Sequence, residues 1–526
     1  MNQATFILVN VYQSQNSCED DDKQSRLHLN SKMNKTINVA LSQPGTGKTT
    51  NACQIIPQWL ATGNRVLFAV PTKLLADEVF SKLCALGLTP LKIDSRDGVA
   101  AVATLNESLA PTEANNLIVC QHASFHQCRT KHLINWIVII DELPSPVRPQ
   151  ASRVKSSQLA ALRYLDTDSY GRAAIKSDCV ERVKVELRAF SPNSNGMGPT
   201  SLLSKEALQI YEAALAGREV FISTEDDSNY SLVYFADEAG FFESFKYCRE
   251  VHLLSATWTG SLFEWFANAH GFNYQKSILT PSQSPKQKKK VTIYPMLTSD
   301  QCSKSVLNSI FKPKNATAMA GAGKRNIQMI ADLTSDILGP NRQCLAFVQD
   351  WAVLGYKTNL IECPMDSRGL NEWLHVPNVL CMFHGNHVTT ATKCFQYLAE
   401  KYNKSYESLR DAWKRTYLFD ATLQNVYRCS LRDGTSTADV NLYVQTYEVA
   451  EYLVNMYLEG AVIDMRYART YRQRETPGPK PETGKSEAMR LLASGLKPAI
   501  VAEQMKISVG KIYNYKKEIK QLGLTK

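Results

Sequence analysis

The sequence lacks any run of 18 or more apolar residues, so it predicts no membrane-spanning helix and no membrane partner. Its first 13 residues are too short and too polar-flanked for a signal peptide. The 13 cysteines include no C-x-x-C pair, which disfavours a zinc or iron–sulfur site. Scattered thiols of this kind are typical of a reducing compartment, so we expect a cytoplasmic protein.

Charge is distributed unevenly along the 526 residues, although the overall composition is ordinary. Hydrophobic residues make up 44% and charged residues 21%, which at this length is typical of a globular protein with three or four compact units. The formal net charge is +10, and residues 466–526 alone carry fourteen Lys/Arg against five Asp/Glu. A basic tail indicates contact with nucleic acid, with a solvated charged face as the alternative.

A glycine-rich stretch lies between an apolar run at residues 37–41 and a helical pattern at residues 52–60. Strand, glycine turn and helix in this order predict a phosphate-binding loop rather than an ordinary loop. Backbone N–H groups would surround the phosphates of ATP, Lys48 would reach its β- and γ-phosphates, and the Thr49 hydroxyl would bind Mg²⁺. The candidate nucleotide-binding residues are Ser42, Gln43, Pro44, Gly45, Thr46, Gly47, Lys48, Thr49 and Thr50.

Two carboxylates follow the fully apolar run at residues 136–140, roughly 90 residues after the glycine-rich stretch. Asp141 can hold Mg²⁺ through water, and Glu142 can polarise the water that attacks ATP. Two adjacent acidic residues at the end of a strand are frequent by chance. Downstream of a phosphate-binding loop, however, the pair predicts an NTPase.

The middle of the chain predicts an insertion and a domain boundary. Residues 145–250 mix helical patterns, short strands and a polar linker, and they either guide a nucleic-acid strand or have no direct role. The strand after them ends in Ser255 and Thr257, small hydroxyl residues that can couple the acidic pair to a neighbouring site through hydrogen bonds. Residues 281–292 are rich in Ser, Pro and Lys and predict a linker between two large domains.

Two arginines mark the second domain, which also predicts strands at residues 343–348 and 378–383. Arg428 and Arg432 are four positions apart, a spacing that places both on one face of a helix beginning near Gln424. Guanidinium groups presented together can bridge a γ-phosphate supplied by the other domain. By spacing alone, a surface salt-bridge helix is the alternative.

In their order and spacing, these stretches resemble the motifs of superfamily 2 helicases of the DEAD/DEAH-like class, over roughly residues 35–440. The matching stretches are 42–49, 71–73, 141–144 (Asp-Glu-Leu-Pro), 255–257, 367–371 with 376–379, and 424–432. The resemblance implies two RecA-like domains, ATP with Mg²⁺ in the cleft between them, and nucleic acid lying across both. Tyr427 stands where the helicase pattern has glycine, and one residue is added before Arg432, so the arginine that contacts the γ-phosphate stays open. The resemblance further implies nucleotide contact by Gln424, catalytic roles for Lys48, Glu142, Arg428 and Arg432, and nucleic-acid contacts by Pro71, Thr72, Lys73 and Arg368.

The C-terminal tail predicts a small helical domain behind a proline-rich linker. Prolines 477, 479 and 481 exclude a helix in the linker, and short helical patterns follow at residues 485–493, 497–505 and 508–519. We expect a small core of Ala488, Leu491, Leu492, Ile500, Val501, Ile507, Ile512 and Tyr515. The patterns resemble the helix-turn-helix of resolvase/invertase recombinases, which implies that the third helix enters the DNA major groove. That resemblance implies nucleic-acid contacts by Ser508, Gly510, Lys511, Tyr513, Asn514 and Lys517, with a protein-contact module as the alternative.

The predicted fold class is α/β, with two RecA-like parallel-sheet domains, an inserted subdomain and a small all-α helix-turn-helix C-terminal domain. The predicted segments are an N-terminal extension (1–33), a first RecA-like domain (34–280, insertion about 145–250), a linker (281–292), a second RecA-like domain (293–464), a basic linker arm (465–484) and the helix-turn-helix domain (485–526). The predicted function is an ATP-dependent helicase or translocase on DNA, with RNA not excluded, in replication or transfer of a plasmid, phage or mobile element. A DNA-packaging ATPase and a DNA-binding regulator with an ATP-switched core are the alternatives.

Overall fold

The computed structural model describes residues 35–95, 100–155, 162–168, 171–190, 205–223, 230–282, 289–298, 302–310, 323–367, 372–388, 391–471, 488–489, 491–492, 496–505 and 507–521. These residues form two compact units, one that ends at Arg469 and one that begins at Thr470. Within these ranges, no helix is both long enough and apolar enough to cross a bilayer. The predicted N-terminal extension (1–33) and Arg368 lie outside the described residues.

The strands are β1 (Thr36–Leu41), β2 (Arg65–Val70), β3 (Leu91–Lys92), β4 (Leu117–Gln121), β5 (Trp136–Asp141), β6 (Val147–Lys155), β7 (Leu165–Thr167), β8 (Arg172–Ile175), β9 (Val220–Ser223), β10 (Tyr230–Glu238), β11 (Glu250–Ser255), β12 (Asn273–Lys276), β13 (Val291–Pro295), β14 (Cys344–Val348), β15 (Leu360–Cys363), β16 (Asn378–Met382), β17 (Val440–Val444) and β18 (Val462–Ile463). The α-helices are α1 (Lys48–Ala61), α2 (Lys73–Ala85), α3 (Ala101–Ser108), α4 (His122–Phe125), α5 (Val180–Phe190), α6 (Lys205–Leu215), α7 (Phe241–Tyr247), α8 (Leu262–Ala269), α9 (Lys304–Asn308), α10 (Asn326–Leu338), α11 (Thr392–Lys401), α12 (Tyr406–Lys414), α13 (Ala421–Val426), α14 (Tyr447–Met456), α15 (Pro498–Met505) and α16 (Val509–Gln521). A π-helical turn, Arg415–Asp420, joins α12 to α13.

Lobe 1 is built on a seven-stranded parallel sheet with the strand order β12-β1-β11-β5-β2-β4-β3. All residues of β5 and the last five of β2 are buried, as expected for strands that are covered on both faces. Helices α1 and α2 pack on one face, and α7 and α8 pack on the other. Because β11 lies between β1 and β5, the segments that follow these three strands meet at one edge of the sheet.

The insertion between β5 and β11 is a five-stranded antiparallel sheet with the order β6-β10-β9-β8-β7. It has its own buried core, which includes Tyr164 and Tyr211 and is shared with α5 and α6. The mixed pattern of residues 145–250 did not reveal this sheet, because pairs such as β6 with β10 join segments far apart in sequence.

Lobe 2 is built on a six-stranded parallel sheet with the order β15-β14-β16-β17-β13-β18. Every residue of β14 and β16 is buried. The predicted fold class is therefore confirmed for the two large lobes, since both have the parallel α/β organisation of RecA-like domains.

Residues 391–414, which we call the strap, leave lobe 2 between β16 and β17 and pack into lobe 1. Phe395 and Trp413 of the strap lie within the buried core of lobe 1. Trp265 of α8 donates through Nε1 to the Ser408 hydroxyl of the strap, at 2.9 Å. Helix α11 of the strap also contacts β9 and β10, so the strap ties lobe 2 to lobe 1 and to the insertion.

Truncating Phe395 is expected to destabilise lobe 1, although this residue lies in the chain between two strands of lobe 2. The side chain is 1% exposed and its ring centroid lies 5.0 Å from that of Trp413. Phe395→Ala should therefore lower the free energy of unfolding by about 3–5 kcal/mol. Urea unfolding, combined with hydrogen exchange of β2 and β5, measures this change.

Tyr356→Ala is the control for that measurement, because its side chain is 90% exposed and its removal should alter the unfolding free energy by less than about 0.5 kcal/mol. Loss of protection in β14 and β16, with β2 and β5 unchanged, would contradict the assignment of the strap to the core of lobe 1.

The second unit contains α15 and α16. Its core includes Ala488, Val501, Ala502, Ile512 and Tyr515. The prediction that Ile500 joins this core is wrong, because the inward stripe of α15 contains Val501 and Ala502 and leaves Ile500 44% exposed. The helix-turn-helix assignment stays a prediction.

Candidate nucleotide-binding site

The glycine-rich loop after β1 turns directly into α1. Gly45 and Gly47 have φ angles of +81° and +82°, in the left-handed region that favours glycine. Lys48 begins α1, and its Nζ donates to the carbonyl oxygens of Ser42 (2.7 Å) and Gln43 (2.9 Å). The N-terminus of a 14-residue helix and an ammonium group thus face one turn, which is an arrangement that attracts anions.

Most of the predicted nucleotide-site residues come together around one cleft of about 280 Å³ between the two lobes. Those that line it are Pro44, Gly45, Thr46, Gly47, Lys48, Thr49, Thr50, Asp141, Glu142, Gln424, Arg428 and Arg432. Ser42 and Gln43 brace the loop: the Ser42 and Thr46 hydroxyls lie 2.7 Å apart, and Gln43 Nε2 donates to the Tyr457 carbonyl at 3.0 Å.

The Thr49 hydroxyl and the Asp141 carboxylate are in direct contact, since Thr49 Oγ1 donates to Asp141 Oδ2 at 2.7 Å. Burial and the neighbouring Glu142 raise the pKa of Asp141 to about 7. Burial also lowers the pKa of Lys48 to about 8, against the opposing effect of Asp141 and Glu142. The charges of the buried Asp141 and the half-buried Glu142 repel each other, and a cation beside them relieves that repulsion.

Glu142 has a left-handed backbone, with φ of +63°, which is rare for a residue that is not glycine. Its backbone N–H donates to the Leu254 carbonyl at 2.9 Å, which joins the end of β5 to β11. A residue held in this region costs free energy and is typical of functional sites, where the surrounding structure fixes its direction.

Arg428 and Arg432 reach the cleft from lobe 2, but the expectation that they share one helical face is wrong. Helix α13 ends at Val426, and the backbone of Cys429 is extended. The Ser430 backbone N–H then donates to the Val376 carbonyl at 2.9 Å, so this segment pairs with the chain before β16 and cannot continue the helix.

The two arginines meet different parts of lobe 1. Arg428, 5% exposed, places Nη2 3.9 Å from Glu142 Oε1. Arg432 lies over the phosphate loop, where a Cβ atom added to Gly45 would come within 2.8 Å of Arg432 Cγ. A glycine is therefore required at position 45 both for its backbone angle and for this close approach.

The loop that carries Ser255 and Thr257 faces lobe 2. The Ser255 hydroxyl bonds within its own loop, accepting from the Thr257 backbone N–H at 3.0 Å. Tyr457 of lobe 2 donates to the Ala256 carbonyl at 3.0 Å. Burial raises the pKa of Asp420 to about 6, although Arg415, Tyr452 and Thr257 beside it oppose the shift.

Sequence reasoning missed several residues of the cleft. Glu78 and Lys82 of α2 line it, 2.7 Å apart, and Tyr427 lines it from lobe 2. The only sequence signal for the first two is a charge pair four positions apart, which also describes an ordinary surface ion pair. Tyr457 contacts Gln43 of the phosphate loop only because the two lobes pack together, and no sequence pattern indicates this contact.

The predicted nucleic-acid residues fall in three separate stretches of the sequence. Pro71, Thr72 and Lys73 follow β2, and the Thr72 hydroxyl accepts from the Leu75 backbone N–H at 3.2 Å as the N-cap of α2. Arg368 is outside the described residues. In the second unit, the predicted residues are all exposed, on α16 and at the position before it: Ser508, Gly510, Lys511, Tyr513, Asn514 and Lys517.

The donor set of the cleft fits a nucleotide with Mg²⁺. One hydroxyl and one carboxylate oxygen, from Thr49 and Asp141, are ligands that Mg²⁺ prefers. Lys48, the N-terminus of α1 and the two arginines supply positive charge from several directions, as a triphosphate requires.

No sequence profile of a known protein family matches the chain, and no curated protein sequence matches it either. Its fold is similar to solved helicase structures. The S. tokodaii Xpd4 structure has a TM-score of 0.47 at 12% identity, covering 84% of this chain and 98% of that one. An XPD helicase gives 0.43 at 12% identity, with 86% and 100% covered. The helicase MrfA bound to DNA gives 0.30 at 11% identity, with 85% and 49% covered. At these values, the likeness assigns neither an activity nor a substrate to this chain.

Proposed function

We propose that this protein is an ATP-dependent helicase or translocase that hydrolyses ATP to ADP and phosphate and moves along DNA. The observation that supports it is the composition of the cleft. Lobe 1 contributes a phosphate loop and an acidic pair, and lobe 2 contributes two arginines to the same 280 Å³ space. A site divided in this way is completed when the lobes close and opened when they separate, which is what coupling hydrolysis to movement requires.

Each group at the cleft has a role in this proposal. Lys48 and the backbone N–H groups at the start of α1 bind the β- and γ-phosphates. Thr49 and Asp141 hold Mg²⁺, which supplies charge neutralisation for the phosphate oxygens when it is bound. Glu142 accepts a proton from the attacking water or orients that water. Arg428 and Arg432 stabilise the charge that develops on the transferred phosphoryl group.

The contacts between the lobes support a route from the nucleotide to lobe movement. Gln43 of the phosphate loop and Ala256 of the neighbouring loop both hydrogen bond to Tyr457, through its carbonyl and its hydroxyl respectively. A change at the phosphate loop therefore acts directly on the residue that follows α14 in lobe 2. In the proposal, Ser255 and Thr257 hold this loop in the shape that Tyr457 recognises.

We assign the second unit to DNA targeting. The exposed surface of α16 combines Lys511 and Lys517 with Tyr513 and Asn514, while Ile512 and Tyr515 face the core. Side chains of these types contact phosphates and base edges in duplex DNA. Pro71, Thr72, Lys73 and Arg368 are assigned to the track of the motor itself.

Steady-state ATP hydrolysis by the full chain tests the proposal, measured alone and with single-stranded DNA, duplex DNA or RNA. We expect turnover to rise at least tenfold with DNA. Lys48→Ala, which removes the ammonium from the phosphate loop, should abolish activity in every mixture and so exclude a contaminating ATPase.

Two results would overturn the proposal. Equal turnover with and without every polymer would favour a regulator whose core only changes shape with ATP. Stimulation of ATP hydrolysis by RNA but not by DNA would support a nucleic-acid translocase and refute the proposal that it moves along DNA.

A further inference from the structure

Three loops meet at the carboxyl-terminal edge of the sheet of lobe 2. They follow β13, β14 and β16, and because the sheet is parallel they leave it on the same side. Gln349 Nε2 donates to the His384 carbonyl at 3.3 Å, and Asn386 Nδ2 donates to the Cys302 carbonyl at 3.2 Å. The loops therefore form one connected surface. The segment that carries Arg428 and Arg432 pairs with Val376 before β16, so it lies at the opposite edge of the sheet.

Two aromatic rings are held in parallel on this surface. The Trp351 and His384 rings are stacked, with centroids 6.1 Å apart and an interplanar angle of 22°. Trp351 Nε1 donates to Gln349 Oε1 at 3.2 Å, and the Asn386 backbone N–H donates to His384 Nδ1 at 3.3 Å. Each ring is thus fixed by a hydrogen bond as well as by its neighbour.

A cation accompanies the rings. Lys304, at the start of α9, is exposed and places Nζ 5.6 Å from the centroid of Trp351. The loop that carries Trp351 also presents Tyr356, which is 90% exposed, and Val353, which is 57% exposed. Leu354, next to Val353, is 2% exposed and anchors this part of the loop.

Trp351 is half-buried, so the residue is partly accessible to solvent. Lys304, which lies over its ring, is exposed, and its flexible side chain can move aside for a base. A fixed, partly exposed indole beside an ammonium group matches the chemistry of a nucleobase joined to a phosphate, because every base offers a π-face and a neighbouring negative charge. The exposed acidic side chain of Asp350, next in sequence, disfavours a contact made by phosphate alone. Stacking is therefore the interaction that this surface supports best.

We infer that Trp351, backed by His384 and flanked by Lys304, is a base-stacking platform for single-stranded nucleic acid on lobe 2. The inference rests on the proposed function and deepens it, since it names the part of the substrate that lobe 2 holds. A platform of this kind stacks with any base, so a motor can hold the strand without sequence preference.

Fluorescence anisotropy of the full chain with two labelled oligonucleotides tests this platform. One is oligo-dT and the other is an abasic strand of the same length and charge. Wild type should bind oligo-dT about tenfold more tightly than the abasic strand. Trp351→Ala should lose most of that difference by weakening oligo-dT binding about tenfold, with abasic binding unchanged. The dependence of oligo-dT affinity on salt should also stay the same, because no phosphate contact is removed.

Two control variants keep the test independent of folding. Trp351→Phe retains a ring and should recover most of the preference for oligo-dT. Tyr274→Ala removes a 53% exposed aromatic side chain of β12, in lobe 1, and should bind both strands as wild type does.

The outcomes separate this inference from the proposed function. If Trp351→Ala binds oligo-dT as tightly as wild type, or weakens both strands equally, the platform is refuted while the motor stands. If wild type binds the two strands equally, the platform is also refuted. If wild type binds neither strand and its ATP turnover ignores every polymer, both proposals fall together.

Discussion

Glu142→Gln is expected to lower ATP turnover by about 10²- to 10⁴-fold and to leave nucleotide binding in place. The amide has the size and shape of the carboxylate but cannot accept the proton of an attacking water. The left-handed backbone at this position, φ +63°, is as costly for Gln as for Glu, so the fold of the loop should not change. Steady-state turnover and the affinity for a fluorescent ATP analogue, measured on the same samples, separate the two effects.

Glu78→Gln is the matched control for Glu142→Gln. Glu78 lines the same cleft and carries the same charge, but it lies on α2 and pairs with Lys82 at 2.7 Å. We expect its turnover to stay within about threefold of wild type, the range of a partly exposed ion pair. A large loss of ATP turnover with Glu78→Gln and a small one with Glu142→Gln would assign the general base to Glu78 of α2 instead.

The local part of the site could be predicted because its chemistry is written in adjacent residues. A phosphate loop needs its glycines, lysine and hydroxyl within a few positions, so residues 42–50 predict the turn that the structure shows. The apolar run before Asp141 likewise predicts a buried strand that ends at the cleft. Parallel sheets, buried on both faces, produce such runs, and for this reason the fold class followed from the sequence as well.

What could not be predicted depends on contacts between distant segments. Nothing in the sequence of residues 391–414 indicates that they pack into the core of the other lobe, since their helical pattern fits either. The extended backbone at Cys429 is imposed by pairing with Val376, so the spacing of the arginines was a misleading signal. Tyr457 and Asp420 meet the loop around Ala256 only once both lobes are assembled.

Arg428→Ala is expected to lower turnover by about 10³-fold or more, with a smaller effect on ATP affinity. Arg428 is 5% exposed and lies 3.9 Å from the Glu142 carboxylate, so it is aimed at the place where water attacks. Arg432 instead lies over Gly45 of the phosphate loop, where its positive charge faces the site for the phosphates. Arg432→Ala should therefore weaken ATP binding as well as turnover.

This assignment depends on the direction of each guanidinium group, and two further variants examine it. Arg428→Lys keeps the charge but loses the planar fork that contacts two oxygens at once, so it should recover little of the lost turnover. Arg466→Ala removes an arginine that is 64% exposed and paired with Asp464, and it should behave as wild type. If Arg428→Ala keeps the wild-type ATP turnover in the absence of DNA and Arg432→Ala does not, the arginine that stabilises the transferred phosphoryl group is Arg432. The contact between Arg428 and Glu142 then only fixes the two lobes against each other. In that case, Arg428→Ala should still uncouple hydrolysis from stimulation by DNA, because closure of the cleft would no longer be sensed at Glu142.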